Sequence, residues 1–321
     1  MSSHPEQRVY RRRVFYVPGY DPIHPRRYRE LYRKEGAGQA AISGYEIALK
    51  PSSGDGPYGW NVNATIDGAE VATQYSVLVW SDLVRDSMAG SILATYGHLL
   101  RTAWTYIASG ALWRLMKLRK GPVIAALYPV AFLLLQLSLA CATGWVVGHA
   151  ILAMSTRFDL GSRIFDIGAW GGAAIVAWRV LHWFKVRDGW FYAYYLMHDY
   201  AYSAQGNGAY PPALETRIAE FTNLLAEALQ DDADEVLIVG HSSGVLLAVS
   251  ALADLLRAGR LPEAGPALGF LSLGEVVPMQ SFLPEANRLR ADLHFLSQRQ
   301  EITWVDVTAP GDGCAFALCD P

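Results

Sequence analysis

The chain has 321 residues, enough for one large domain or two smaller ones, and 52% of them are hydrophobic while only 18% are charged. The mean hydropathy of +0.14 and the 10 Trp and 17 Tyr residues indicate a membrane interface or a large aromatic pocket. A formal net charge of −3 argues against nucleic acid as a partner. The 3 cysteines lack the spacing of a metal site, so we expect neither a metal nor another cofactor.

Short apolar runs predict several strands in the first part of the chain. Val14 to Val17 reads as a buried strand, and it ends in the breaker-rich loop Pro18-Gly19-Tyr20-Asp21-Pro22. The pattern then predicts a helix over residues 28–34 and further strands over 40–49, 58–67 and 75–80.

The composition changes over residues 88–189, which are apolar and aromatic with scattered basic residues. Residues 88–118 predict amphipathic helices at a membrane surface, or alternatively a core helix hairpin. We predict transmembrane helices near residues 122–152 and 164–184, the second having an interfacial or re-entrant helix as its alternative. Basic residues flank this hairpin more densely than they occupy its connecting loop. This distribution predicts an inner or plasma membrane protein whose remaining parts face the cytoplasm.

One stretch further on has the pattern of a catalytic turn. Residues 235–256, EVLIVGHSSGVLLAVSALADLL, predict a strand, a sharp turn and a helix. The turn is G-x-S-x-G, with Gly240 and Gly244 small enough for strand and helix to approach around Ser242. His241 is expected to pack beneath the turn. The alternative is an ordinary strand-to-helix turn in which Ser242 caps the helix.

The oxyanion donors and the acid that such a serine would need are expected at the ends of other predicted strands. The loop with Gly19 and Tyr20 could place a backbone N–H opposite the turn as an oxyanion donor. Strands predicted over 267–273 and 302–307 lead to three candidate acids, of which the first is preferred: Asp312, Glu275 and Asp306. The adjacent His198 and Asp199 lie in an aromatic stretch and are expected to be packed rather than catalytic.

The segments VFYVPGYD, VLIVGHSSG and ITWVDVTAPGDG together resemble the α/β-hydrolase superfamily, in the manner of lipases and esterases. The resemblance implies an α/β fold with a mostly parallel sheet, formed by residues 1–87 and 190–321, with the helical, membrane-spanning insertion between them. It implies Ser242 as the nucleophile, Asp312 as the acid, and the Ser243 and Tyr20 N–H groups as oxyanion donors. The implied activity is hydrolysis of a lipid-like ester or thioester.

The catalytic base of this arrangement is not identified by the resemblance. No His follows Asp312, and the histidines considered instead have the wrong order or place along the chain: His24, His241 and His294. No closing helix follows the last predicted strand either. We therefore expect a chain truncated at its C-terminus or, as the alternative, an inactive member that serves in binding or scaffolding.

Overall fold

The computed structural model describes residues 9–52, 56–66, 68–158, 163–309 and 311–316. The strands are β1 (Arg11–Val17), β2 (Glu46–Pro51), β3 (Gly59–Ile66), β4 (Ala69–Val77), β5 (Glu235–His241), β6 (Ala267–Leu273) and β7 (Ile302–Val307). They form one sheet in the order β2-β3-β4-β1-β5-β6-β7. The pairs β4–β1, β1–β5, β5–β6 and β6–β7 are parallel, and the pairs β2–β3 and β3–β4 are antiparallel. The expected α/β fold with a mostly parallel sheet is therefore present.

The helices before the sheet resumes at β5 are α1 (Arg26–Ser43), α2 (Ser81–Met88), α3 (Ile92–Ala108), α4 (Ala111–Leu118), α5 (Lys120–Arg157), α6 (Arg163–Val186), α7 (Asp188–Phe191), α8 (Ala193–Ala204) and α9 (Pro212–Ala228). The later ones are α10 (Gly244–Arg257), α11 (Val277–Ser281) and α12 (Asn287–Ser297).

The two faces of the sheet are covered by different helices because alternate side chains of a strand point in opposite directions. Phe15 and Val17 of β1 belong to the main core, which α9, α10 and α12 cover. Tyr16 lies between them in the sequence and packs with Tyr28 of α1 on the opposite face. The beginning of β1 carries three arginines, which pair with acidic residues at or just before the start of β5: Asp231, Asp232 and Glu235.

One predicted element is wrong. The strand expected over 40–49 begins only at Glu46, because α1 continues to Ser43 and ends at Gly44 in the left-handed conformation, with φ 72°. Ala and Gln at 39–41 are good helix formers, so the helix extends through them. The helix predicted over 28–34 is thus the middle of a longer one.

The helical part between α2 and β5 contains a hairpin of α5 and α6. Their contact is close because Gly144 of α5 leaves no room for a side chain: a Cβ there would lie 2.7 Å from the Ala173 carbonyl oxygen of α6. Among the described residues, one helix, α5, is long and apolar enough to cross a membrane, with a mean hydropathy of 2.1 and much of its surface exposed. The second predicted span also forms a helix, α6, but this helix, as far as the structure describes it, is not both long and apolar enough to count as a candidate for crossing a membrane.

Candidate active site

The turn between β5 and α10 has the strained geometry that its sequence predicts. Ser242 has φ 54°, a left-handed conformation that non-glycine residues adopt at a cost of about 1–2 kcal/mol. A Cβ at Gly240 would lie 2.9 Å from Val245 Cα, and a Cβ at Gly244 would lie 2.3 Å from the Val17 carbonyl oxygen. Both glycines are therefore required for β1, β5 and α10 to meet at this point.

The loop after β1 lies directly over Ser242. A Cβ at Gly19 would be 3.1 Å from Ser242 Cβ, so the backbone of this loop passes against the serine. Trp80 Nε1 donates a hydrogen bond of 2.8 Å to the Pro18 carbonyl, and the Tyr195 hydroxyl donates to the Tyr20 carbonyl. These two bonds hold the loop in place.

Of the two N–H groups expected to bind an oxyanion, one already donates a hydrogen bond within the described residues and the other does not. The Tyr20 N–H donates to Ser243 Oγ at 2.8 Å, and Ser243 is buried. The Ser243 N–H makes no hydrogen bond within the part of the chain that the structure describes. It also lies at the N-terminal end of α10, where the helix dipole favours negative charge. The Ser243 N–H is thus available to an oxyanion, while the Tyr20 N–H must first leave the Ser243 hydroxyl.

Ser242 opens into a cavity of about 400 Å³. Its walls combine the loop after β1, the start of α1, one face of α8 and the residues after β6. Tyrosines contribute much of this wall, and burial raises the pKa of Tyr16 to about 12. Such phenols remain protonated at neutral pH and can donate hydrogen bonds to a substrate.

Two residues of the cavity could accept a proton from the serine. His241, the last residue of β5, lines the cavity and stacks against Tyr16 with 6.4 Å between the ring centroids, contrary to the expected packing beneath the turn. Burial lowers the pKa of His241, although Asp312 and Asp21 partly offset this effect. Burial raises the pKa of Asp199, a half-buried residue of α8, to about 7. Both groups therefore exist largely or partly in the form of a base at neutral pH.

The preferred acid, Asp312, lies at the ends of β6 and β7 near the turn. Its Oδ2 is 2.9 Å from the place that a Cβ at Gly274 would occupy, and its Oδ1 accepts from the Cys314 N–H at 2.9 Å. Its negative charge favours the protonated form of His241. The structure thus brings Ser242, His241 and Asp312 to the same edge of the sheet.

The other acids and histidines considered are placed elsewhere. Glu275 accepts from the Val277 N–H at 2.7 Å, and Asp306 accepts from the Ser272 hydroxyl at 2.6 Å. These two carboxylates line a second cavity, together with His294. The side chain of His24 accepts from the Arg26 N–H at 3.2 Å and is not part of the wall around Ser242.

The aromatic segment of α8 contributes more to the cavity than the sequence interpretation assigned to it. His198 is buried and bonds the Thr95 hydroxyl at 3.3 Å, in agreement with the expected packing. Asp199, one residue later, faces the Ser242 cavity with Tyr195 and Tyr200. The spacing of 195 and 199 is one helical turn, so helical periodicity could have separated the two faces.

No metal site accompanies this arrangement in the described ranges, where no group of three or more His, Cys, Asp or Glu side chains is placed to hold an ion. Comparison of the chain with protein-family models, curated proteins and solved structures finds no match. The function must therefore be inferred from the site itself.

Proposed function

We propose that the protein is a membrane-anchored serine hydrolase of the α/β-hydrolase type that cleaves a lipid-like ester or thioester through an acyl-serine intermediate. The observation that carries this proposal is the strained Ser242, with φ 54°, at the opening of a cavity and beneath the Gly19 loop. Strain of this kind is concentrated at functional sites.

The position of the serine in the sheet supports the same proposal. In the sheet, β1 lies between β4 and β5. The chain reaches β4 on one side of β1 by way of β2 and β3, and it later returns to β5 on the other side. The carboxyl ends of β1 and β5 thus form a topological switch point, where open α/β sheets bind their ligands. Gly19 and Ser242 follow these two strand ends.

In the proposed reaction, Ser242 Oγ attacks the substrate carbonyl carbon and loses its proton to a base of the cavity. His241 is our first candidate for this base, since its lowered pKa leaves it neutral at pH 7, and Asp199 is the second. The carbonyl oxygen becomes an oxyanion, to which the Ser243 N–H donates. The leaving oxygen or sulfur then takes a proton as its bond to carbon breaks. Water hydrolyses the acyl-serine by the same steps.

The start of α5 supports a substrate of lipid-like character. Pro122, in the first turn of α5, lines the wall of the Ser242 cavity. The helix that is apolar enough to cross a membrane therefore begins at the cavity itself. We propose that the lipid bilayer is the partner of this region and that substrate reaches Ser242 from the membrane surface. The distribution of Lys and Arg predicts that the sheet then faces the cytoplasm.

The alternative function is a catalytically inactive protein that uses the same fold for binding or scaffolding. It is favoured by one observation, the hydrogen bond between the Tyr20 N–H and Ser243 Oγ, which occupies one of the two expected oxyanion donors. In an active enzyme this bond would have to exchange for one to the substrate oxygen.

Labelling with a fluorophosphonate probe distinguishes the two functions. We expect the full chain to be labelled, Ser242→Ala to be unlabelled, and Ser203→Ala, which changes another serine of the same cavity, to be labelled normally. His241→Asn and Asp199→Asn identify the base, because its loss should slow labelling about 10²-fold or more. Absence of Ser242-dependent labelling would support the binding function.

A further inference from the structure

A third, smaller cavity lies between α2, α3 and α8, apart from the Ser242 cavity and from the cavity that Glu275 lines. Its volume is about 160 Å³, and the side chains that matter for its chemistry are Ser87, His98, Arg101, Thr102, His198 and Gln205. No carboxylate is among its lining residues. The cavity is therefore rich in hydrogen-bond donors and has no negative charge of its own.

Two observations show that these donors lack a counterpart. Arg101, an exposed residue that lines the cavity, makes no ion pair or hydrogen bond within the described ranges. Gln205 Nε2 is buried and has no hydrogen-bond partner in the same part of the chain. A buried donor without a partner is unfavourable, so an acceptor in this cavity would be stabilising.

The electrostatic environment of the two histidines points in the same direction. Their rings lie 5.5 Å apart, and Lys185 is close enough to His198 to lower its pKa further. Burial is the main cause of the lowered pKa of His198, about 4, and of His98, whose pKa Arg101 lowers as well. Both histidines are therefore neutral at pH 7, and the permanent charges that act on them are the positive ones of Arg101 and Lys185, which would attract an anion.

The outer surface of α3 indicates where such an anion would come from. Leu100 and Trp104 are 70% and 72% exposed and lie on either side of Arg101 in the sequence of the same helix. Leu93 and Ile107 extend this apolar stripe along α3. A cationic cavity beside an exposed apolar helix face matches a molecule with an anionic head and an apolar chain.

We propose that this cavity binds a phosphate group, and that the phosphate belongs to the headgroup of an anionic lipid. Arg101 and Gln205 donate to the phosphate oxygens, while the acyl chains lie along the apolar stripe of α3. The site is separate from the chemistry at Ser242, and it stands or falls independently of the hydrolase activity.

The test uses the full chain in uncharged detergent and measures binding of three probes: dihexanoyl phosphatidic acid, dihexanoyl phosphatidylcholine and inorganic phosphate. We expect phosphatidic acid to bind most tightly. Arg101→Gln should weaken this binding about tenfold, the effect of one charge-assisted hydrogen bond. Lys117→Gln removes a positive charge from α4, outside the cavity, and should leave the affinity unchanged.

A second variant separates binding from folding. Gln205→Leu removes the unpartnered donor, so it should leave the thermal stability unchanged or higher while it weakens phosphatidic acid binding. Equal affinity for phosphatidic acid and inorganic phosphate would overturn the lipid assignment. Equal effects of Arg101→Gln and Lys117→Gln, or no binding of any probe, would overturn the phosphate site itself.

Discussion

The close approach of β1, β5 and α10 can be tested by Gly244→Ala. The added Cβ would lie 2.3 Å from the Val17 carbonyl oxygen and 2.4 Å from that of Pro18. Both are backbone atoms at the end of a central strand, so the strand end or the helix must move by about 1 Å to restore an ordinary contact. Overpacking of a rigid site typically destabilises by about 1–3 kcal/mol, and we expect the upper end of this range.

The change should be visible both in stability and at the serine. A loss of about 3 kcal/mol should lower the Tm in mild detergent by about 5 °C or more. Because Val17 and Pro18 lead into the Gly19 loop, labelling of Ser242 by a fluorophosphonate should fall as well. Gly38→Ala is the control: within the described ranges a Cβ there meets no atom within 4 Å, and Ala favours the helix by up to about 1 kcal/mol. A Gly244→Ala protein as stable as the original would refute the packing that we derive for the turn.

Three further predictions concern strain, a buried acid and an ion-pair cluster. Ser242→Gly should be about 1 kcal/mol more stable than Ser242→Ala, because only glycine adopts φ 54° without strain. Asp199→Asn should stabilise the protein at pH 8: burial raises the folded-state pKa to about 7, so stability is full below about pH 4 and decreases as the pH rises through 7. The rise in pKa corresponds to at most about 4 kcal/mol, and partial opening to the cavity reduces the expected gain to about 2 kcal/mol. Asp292→Ala should destabilise by about 3 kcal/mol, because this fully buried carboxylate joins Arg257 of α10 to Arg288 of α12.

Unfolding measurements in detergent check all three, each against its own comparison. Equal stability of the two Ser242 variants would show that the turn is unstrained. For Asp199→Asn, the gain should disappear at pH 4, and a gain independent of pH would contradict the assigned cause. Asp232→Ala removes an ion pair whose carboxylate is 83% exposed, so it should change stability by less than about 0.5 kcal/mol. A similar small effect at Asp292 would contradict the burial argument.

Strands with strong local patterns could be predicted from the sequence alone. Residues 267–273 and 302–307 form strands with the predicted bounds, because apolar and β-branched residues there are bounded by turns. The strand expected to start at residue 40 was wrong, since short apolar runs do not distinguish a helix end from a strand start. The second predicted span, over 164–184, is a helix whose membrane crossing remains a prediction.

The candidate site shows the same division between local and distant information. The turn around Ser242 follows from two glycines and a strand-helix pattern, all within a few residues. The pairing of the Tyr20 N–H with Ser243 Oγ joins residues 223 positions apart, and the contribution of Asp199 depends on how α8 packs over the sheet. Such contacts are set by tertiary packing, which a pattern within one segment does not contain.

The central claim is that Ser242 becomes acylated, and mass spectrometry tests it most directly. The full chain would be mixed with a p-nitrophenyl acyl ester, quenched in acid during the first turnovers and digested. We predict an acyl adduct on the peptide that contains Ser242 and its absence in Ser242→Ala. No adduct, or an adduct confined to another residue of the cavity such as Cys314, would contradict the claim.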